Sequence, residues 1–180
     1  MESSDHSAPV PFSRVKIRVG ALVFCGDEVA LIRRDRPGSV HYTPPGGNVE
    51  PGEDLLVALW RELGEELDLG AAQAGAPELL WVVDQRVTRP GPTPSPRKLH
   101  LVYRLHVSPA VRDVLAVEEY DEQRDGGFEV GVVEWVDFRA AAGLPLFPPV
   151  GAALAALSSP RAVVADAGWG AVTDEDYVWV

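Results

Sequence analysis

The segment that most limits what this chain can become spans residues 47–69 and reads GNVEPGEDLLVALWRELGEELDL. A glycine- and proline-rich loop, Pro44-Pro45-Gly46-Gly47 through Pro51-Gly52, delivers the backbone into it. Leu55, Leu56, Leu59, Leu63 and Leu67 recur at helical spacing, which predicts a helix over residues 54–67 with one apolar stripe toward a core. The polar side of that helix carries carboxylates in a tight pattern. At about 100° per residue, Glu62 and Glu66 lie about 40° apart and one turn from each other, with Glu65 about 60° to the other side of Glu62. Three anions on one patch repel, so the arrangement calls for a positive partner, and hard divalent cations with oxygen ligands supply one. Arg61, four residues before Glu65, can hold that carboxylate in place, and Ala58 is small enough to leave room beside Glu62. Taken alone, such a run is more often a solvated acidic face.

The flanks read as strands. Val15, Ile17 and Val19 alternate with Lys16 and Arg18 before the run turns fully apolar, and Gly26-Asp27 separates it from Val29-Ala30-Leu31-Ile32, a hairpin signal. Further strands are expected near residues 79–87, 99–107 and 131–137, with an acidic segment near 117–129 and a helix near 149–157. Strands flanking a central helix, with another helix at the end, suggest a mixed sheet covered on both faces. Residues 1–13 read as a flexible arm and residues 14–180 as a single domain.

In Gly47, Glu53, Arg61, Glu62, Leu63, Glu65, Glu66 and Leu69 the segment resembles the Nudix box, G-x5-E-x7-R-E-U-x-E-E-x-G-U, where U is a bulky aliphatic residue. Six fixed identities in register would arise by chance less than roughly once in a million start positions. The Pro45-Gly46-Gly47 entry, Tyr42 and the preceding strand pair extend the likeness over about residues 15–70. The resemblance implies an α/β Nudix fold, a mixed β-sheet sandwiched between α-helices. It implies a metal-dependent hydrolase that cleaves the diphosphate linkage of a nucleoside triphosphate, ADP-ribose, a nucleotide sugar or a dinucleoside polyphosphate. Mg²⁺ is the expected cofactor, with Mn²⁺ as an alternative. By the same resemblance Glu62 and Glu66 are the principal metal ligands, Glu65 assists, and the Gly46 carbonyl completes the site. Glu53 and Arg61 brace the loop against the helix. One position departs: Asp68 stands where the family has glycine. That glycine would end the helix at positive φ, which Asp tolerates better than most residues, and Gly70 is placed to take over the cap.

Outside the box, the strand after the hairpin ends in Arg33-Arg34, and Arg34 is a candidate for substrate phosphates. Arg86, Arg89, Arg97 and Lys98 fall in a stretch free of acidic residues and stiffened by Pro90, Pro92, Pro94 and Pro96, which suggests a phosphate clamp or an ordinary solvated loop. Residues 118–129 hold six acidic residues and one Arg. Members of the family often place an extra Glu, a metal ligand or general base, in the loop before a strand leading to a Trp. Glu129, six residues before Trp135, fits best, with Glu119 and Glu122 as rivals. Tyr177 and Trp179 either stack on a base or pack on a neighbour. Isopentenyl diphosphate isomerase shares the fold but relies on a catalytic Cys, and here the only thiol, Cys25, lies well before the box.

Charge narrows the partners. At −11 the protein repels nucleic-acid backbones, so a small phosphorylated substrate neutralised by metal or a local basic patch is expected instead of a polymer. The single cysteine forms no intrachain disulfide and reads as buried. Residues 140–160 carry no charge but are interrupted by Pro145, Pro148, Pro149 and Pro160, which reads as a buried loop and helix and not a membrane span. No signal-peptide pattern opens the chain, so the cytoplasm is the expected location. A homodimer is compatible with the family.

Overall fold

Strand β1 (Val15–Cys25) changes character along its length, and the fold follows from that change. Its first half alternates and is partly solvated, whereas from Val19 onward almost every side chain is buried. The computed structural model of the protein describes residues 14–88, 92, 94–123 and 125–177. The expected arm over residues 1–13 lies outside these.

The Gly26-Asp27 turn, with Gly26 at φ 59°, folds β1 back onto β2 (Glu28–Arg36). The two pair only from Val23↔Ala30 to Cys25↔Glu28. Beyond that point they part. β2 takes β3 (Ser39–Thr43) as its neighbour, and β1 takes β4 (Gly46–Asn48). On its other edge β1 runs parallel to β6 (Arg97–His106), from Val15↔Arg97 to Phe24↔His106, and β6 is antiparallel to β5 (Glu78–Arg86). β2 is flanked by β8 (Phe128–Asp137), which carries β7 (Glu118–Glu122) on its edge. A two-residue strand, β9 (Val172–Thr173), pairs parallel to β5, giving the order β7-β8-β2-β1-β6-β5-β9.

Both faces of the sheet are covered. Val19, Ala21, Val23 and Cys25 of β1 point to one side and meet Ala58, Leu59, Leu63 and Leu67 of helix α1 (Leu55–Leu67). Leu22 and Phe24 point to the other and meet Phe138, Ala141, Val150 and Leu154. Those belong to a 3₁₀ turn (Phe138–Gly143) and to the ends of the short helix α3 (Gly151–Ala155). A strand packed on both faces needs an unbroken apolar run, which is why the alternation stops near Gly20. Each fully buried Leu or Phe contributes about 1.5–3 kcal/mol over an exposed one, so α1 is held chiefly by its leucine stripe. The result is the sandwich that the sequence implied.

Helix α1 ends at Asp68, itself in the left-handed region at φ 56°, ψ 31°. The amides of Asp68 and Leu69 reach back to the carbonyls of Gly64 and Leu63 at 3.1 Å each. Asp68 is therefore the cap, and Gly70, at φ −99°, has not taken over that role. The 3₁₀ turn Ala71–Gln73 and the single turn α2 (Pro109–Arg112) fill the following connections. Other expectations shift. The strands predicted near 79, 99 and 131 begin at Glu78, Arg97 and Phe128. The helix expected at 149–157 is confined to five residues behind Pro148-Pro149 and is preceded by a 3₁₀ turn that the sequence did not signal. The acidic segment forms β7 and the start of β8, where Tyr120↔Val130 pairing competes with the preference of the carboxylates for a loop. Among the described residues no helix is long and apolar enough to cross a membrane.

Candidate active site

Where β1 and β2 part, the sheet opens into a cleft of about 470 Å³, within the range of pockets that hold nucleotide-sized ligands. Helix α1 supplies one wall through Glu62, Glu65 and Glu66, and β4 brings Gly46 and Gly47 against it. The close approach explains both glycines. Gly46 has φ 143°, and a Cβ there would stand 2.1 Å from the Val19 carbonyl oxygen. A Cβ on Gly47 would stand 2.2–2.4 Å from the Glu62 carboxylate, in space that the carboxylate occupies.

The wall is braced from behind. Arg61 donates from Nε and Nη2 to the two oxygens of Glu53 at 2.9 and 3.0 Å, and from Nη2 to the Asn48 carbonyl at 3.1 Å. Its Nη1 reaches Glu62 Oε1 at 2.9 Å and Glu65 Oε2 at 3.4 Å. Glu53 also accepts from the Glu50 amide at 3.0 Å, and Arg61 holds its carboxyl below the usual range. The Gly46 amide donates to Glu66 Oε2 at 2.6 Å. Burial pushes the Glu66 carboxyl up to about 8; the Gly46 bond opposes this, while Glu119 and Glu62 add to it. Glu62 is likewise raised by burial, against Arg61. These carboxylates thus lack full compensation for lost hydration.

That set suits a hard divalent cation in donor chemistry: carboxylate and carbonyl oxygens brought together where the absence of a Gly47 side chain makes room for Glu62. Among the described residues no three His, Cys, Asp or Glu side chains converge as a ready cage. Glu62 turns to Arg61, Glu66 to the Gly46 amide, and the Gly46 carbonyl accepts from Arg18 Nη2 at 3.2 Å.

Cations line the same cleft: Arg18 from β1, Arg34 and Arg36 from β2, and Lys98 from β6. Burial pulls the Arg18 guanidinium down, and Glu66 and Glu62 counter it. Arg34 is spent on neighbours: it pairs with Glu119, donates to Thr43 Oγ1 at 3.1 Å and lies 3.8 Å from Glu129. Glu129 gives both oxygens to Arg36, at 2.6 and 3.1 Å, which lowers its pKa. Glu119 is buried, and burial raises it against Arg34.

Several sequence candidates therefore meet in one place: Gly46, Glu62, Glu65, Glu66, Arg34 and Glu129 all line the cleft. Glu129 does so from strand β8 and not from a loop. The basic stretch does not follow as a unit. Arg97 is clamped on Asp84 at 2.8 and 2.6 Å, Arg86 closes β5 on the surface, and neither lines the cleft; only Lys98 does. Arg89 lies outside the described residues, as does Trp179. Sequence reasoning missed Arg18 and Arg36, which carry no local signal, and gave Glu119 only as a rival of Glu129, whereas both line the cleft. Gly131 was the available clue: a glycine inside a strand marks a close approach, and here it faces the Glu119 side chain.

A model of the NUDIX domain matches residues 15–156. Among solved structures, the fold is similar to the MutT protein from Methanosarcina mazei Go1, at 19% identity over 78% of this chain and 91% of that one, with TM-score 0.55. It is similar to a mutator MutT protein from Bacillus halodurans at 20% identity, 88% of each chain and TM-score 0.51. It is also similar to the Ap4A hydrolase of C. elegans at 20% identity, 78% and 93% coverage and TM-score 0.51. At such identities these structures speak for the fold alone, whereas the domain model spans most of the chain and includes the whole box. With the loop, helix and cleft arranged as that box requires, the chain belongs to the Nudix family and is a hydrolase of diphosphate linkages.

Proposed function

We propose that the protein hydrolyses the diphosphate linkage of a nucleoside diphosphate joined to a further group: a nucleoside triphosphate, ADP-ribose, a nucleotide sugar or a dinucleoside polyphosphate. The observation that carries this reading is the pairing of opposite charges in one cleft, with Glu62, Glu65 and Glu66 on the helix and Arg18, Arg36 and Lys98 on strands. A polyphosphate needs cations along its chain, and a carboxylate patch needs one of its own.

Mg²⁺ is the proposed cofactor, with Mn²⁺ as an alternative; when bound, such an ion neutralises phosphate charge and makes an attacking water more acidic. Glu62 and Glu66 would hold it, with Glu65 and the Gly46 carbonyl completing the donor set. Arg61, fixed by Glu53, orients Glu62 and keeps Glu65 near. Arg18, Arg36 and Lys98 draw in the phosphates and fix the chain. Water adds to one phosphorus, the bridging P–O bond breaks, and the proton leaves to a nearby carboxylate. We assign that last role to Glu119 and not to Glu129, because Arg36 occupies both oxygens of Glu129.

A panel of the four substrate classes, incubated with Mg²⁺ and resolved by chromatography, tests the reading. It predicts cleavage between phosphates in at least one class and none in EDTA. Absence of cleavage across the panel, or turnover that persists in EDTA, would overturn it.

A further inference from the structure

The family model ends at residue 156, yet the chain beyond it returns to the cleft. The segment runs back along β5. The Val82 amide donates to the Ala167 carbonyl at 2.7 Å, and the Trp169 amide donates to the Val82 carbonyl at 3.2 Å. Trp169 sets its ring against Trp81 at 5.9 Å between centroids, and β9 then pairs with Gln85 and Arg86. Asp174 accepts from the Thr88 amide at 2.8 Å and from its hydroxyl at 2.7 Å. Three residues later Tyr177 arrives on the cleft wall.

There it meets Phe147, which also lines the cleft. The ring centroids are 4.6 Å apart with planes inclined at 49°. Phe147 is backed by the buried His100 ring, at 5.5 Å and 84°. The edge-to-face contact with His100 is ordinary core packing. The Tyr177 contact differs, because two rings so inclined form a wedge instead of a closed stack, and both remain only half-buried. A wedge of π-surface beside a polyphosphate-binding wall suits a flat, neutral aromatic ring attached to phosphate through a sugar.

We propose that Tyr177 and Phe147 form the subsite for the base of the substrate, and that the C-terminal segment contributes it from outside the matched domain. The proposal rests on the nucleotide reading given above. Every base presents a π-face, so the wedge accepts several bases and gains more from the larger purines. Stacking of this kind changes affinity by roughly fivefold to a hundredfold.

Calorimetric titration of the full chain in Mg²⁺ with AMP, GMP, CMP, UMP and base-free ribose 5-phosphate tests it; none of these contains a diphosphate linkage, so binding is read without turnover. Wild type should bind at least one nucleotide more tightly than ribose 5-phosphate. Tyr177→Leu, which keeps apolar bulk but no ring, should weaken that nucleotide at least about fivefold while leaving ribose 5-phosphate unchanged, and Tyr177→Phe should restore it. Phe147→Leu carries the same expectation independently of the tail, since the Phe147 amide is held by the Tyr42 carbonyl at 2.8 Å. Unchanged nucleotide affinity in both leucine variants, or a wild type that does not distinguish nucleotide from ribose 5-phosphate, overturns the base subsite. Hydrolysis is scored separately: turnover without base-dependent binding removes the subsite alone, and base-dependent binding without turnover removes the hydrolytic reading alone.

Discussion

A methyl group on Gly131 would stand 2.5 Å from Ile32 Cγ2 and 2.6 Å from Glu119 Oε1. That missing methyl lets the Glu119 carboxylate lie across β8 toward Arg34, where burial raises its pKa. Ten residues on, Glu129 is held the other way, lowered by Arg36. Two carboxylates on adjacent strands thus differ in their readiness to take a proton. Glu119→Gln is expected to lower kcat by about 100-fold or more, the scale of a lost general base, whereas Glu129→Gln should act mainly on KM through Arg36. Equal losses of kcat in steady-state kinetics would remove the distinction. At Asp68 the side chain sits in a backbone conformation that glycine adopts without strain, and its charge adds to the negative helix end. Asp68→Gly should therefore shift urea-derived stability by no more than about 1 kcal/mol and leave turnover within a few-fold. A large loss of turnover would reveal a chemical role for Asp68.

At the scale of elements, helix α1 was legible because its period and its box coincide within a single stretch. Strands β3 and β4 were not, since they are five and three residues long and owe their existence to partners on β2 and β1. Two cations of the cleft were hidden for a related reason. Arg18 and Arg36 come from two different strands, while the run that looked basic in sequence spends Arg97 on Asp84 and brings Lys98 to the cleft. A second meeting of elements has a measurable consequence. His100 on β6 donates from Nε2 to Gln85 Oε1 on β5 at 2.7 Å and packs on Phe147. Burial, with Arg18 and Lys98 nearby, pushes it down to about 3 from 6.5. The unfolded chain then binds a proton near pH 6.5 that the folded protein refuses until about pH 3. Stability from the neutral ring is present above 6.5 and is lost as pH falls through that window, by up to about 1.4 kcal/mol per unit. Urea titrations of wild type and His100→Gln should therefore converge as pH falls from 6.5, because the variant lacks this loss. A gap between the two that stays constant with pH would show that His100 titrates alike in both states.

Across the whole molecule, a chain of net charge −11 gathers cations at the cleft where β1 and β2 separate, and sets three glutamates of one helix beside them. The sheet is covered on both faces, so the proposed ligand set is presented by a packed helix and a paired strand, which are more exact scaffolds than loops. The sequence carried the helix side of this arrangement in full. The strand side depends on how the sheet closes, and the third contribution, from the segment around Tyr177, lies beyond the matched domain. The most direct test is kcat at saturating Mg²⁺ for Glu62→Gln and Glu66→Gln on the best substrate of the panel, with thermal unfolding measured alongside. The account predicts losses of about 100-fold or more in each variant, with a melting temperature that holds or rises in the metal-free protein, because a carboxyl whose charged form burial disfavours is replaced by a neutral amide. Near-wild-type kcat in either variant, with the fold intact, would contradict it.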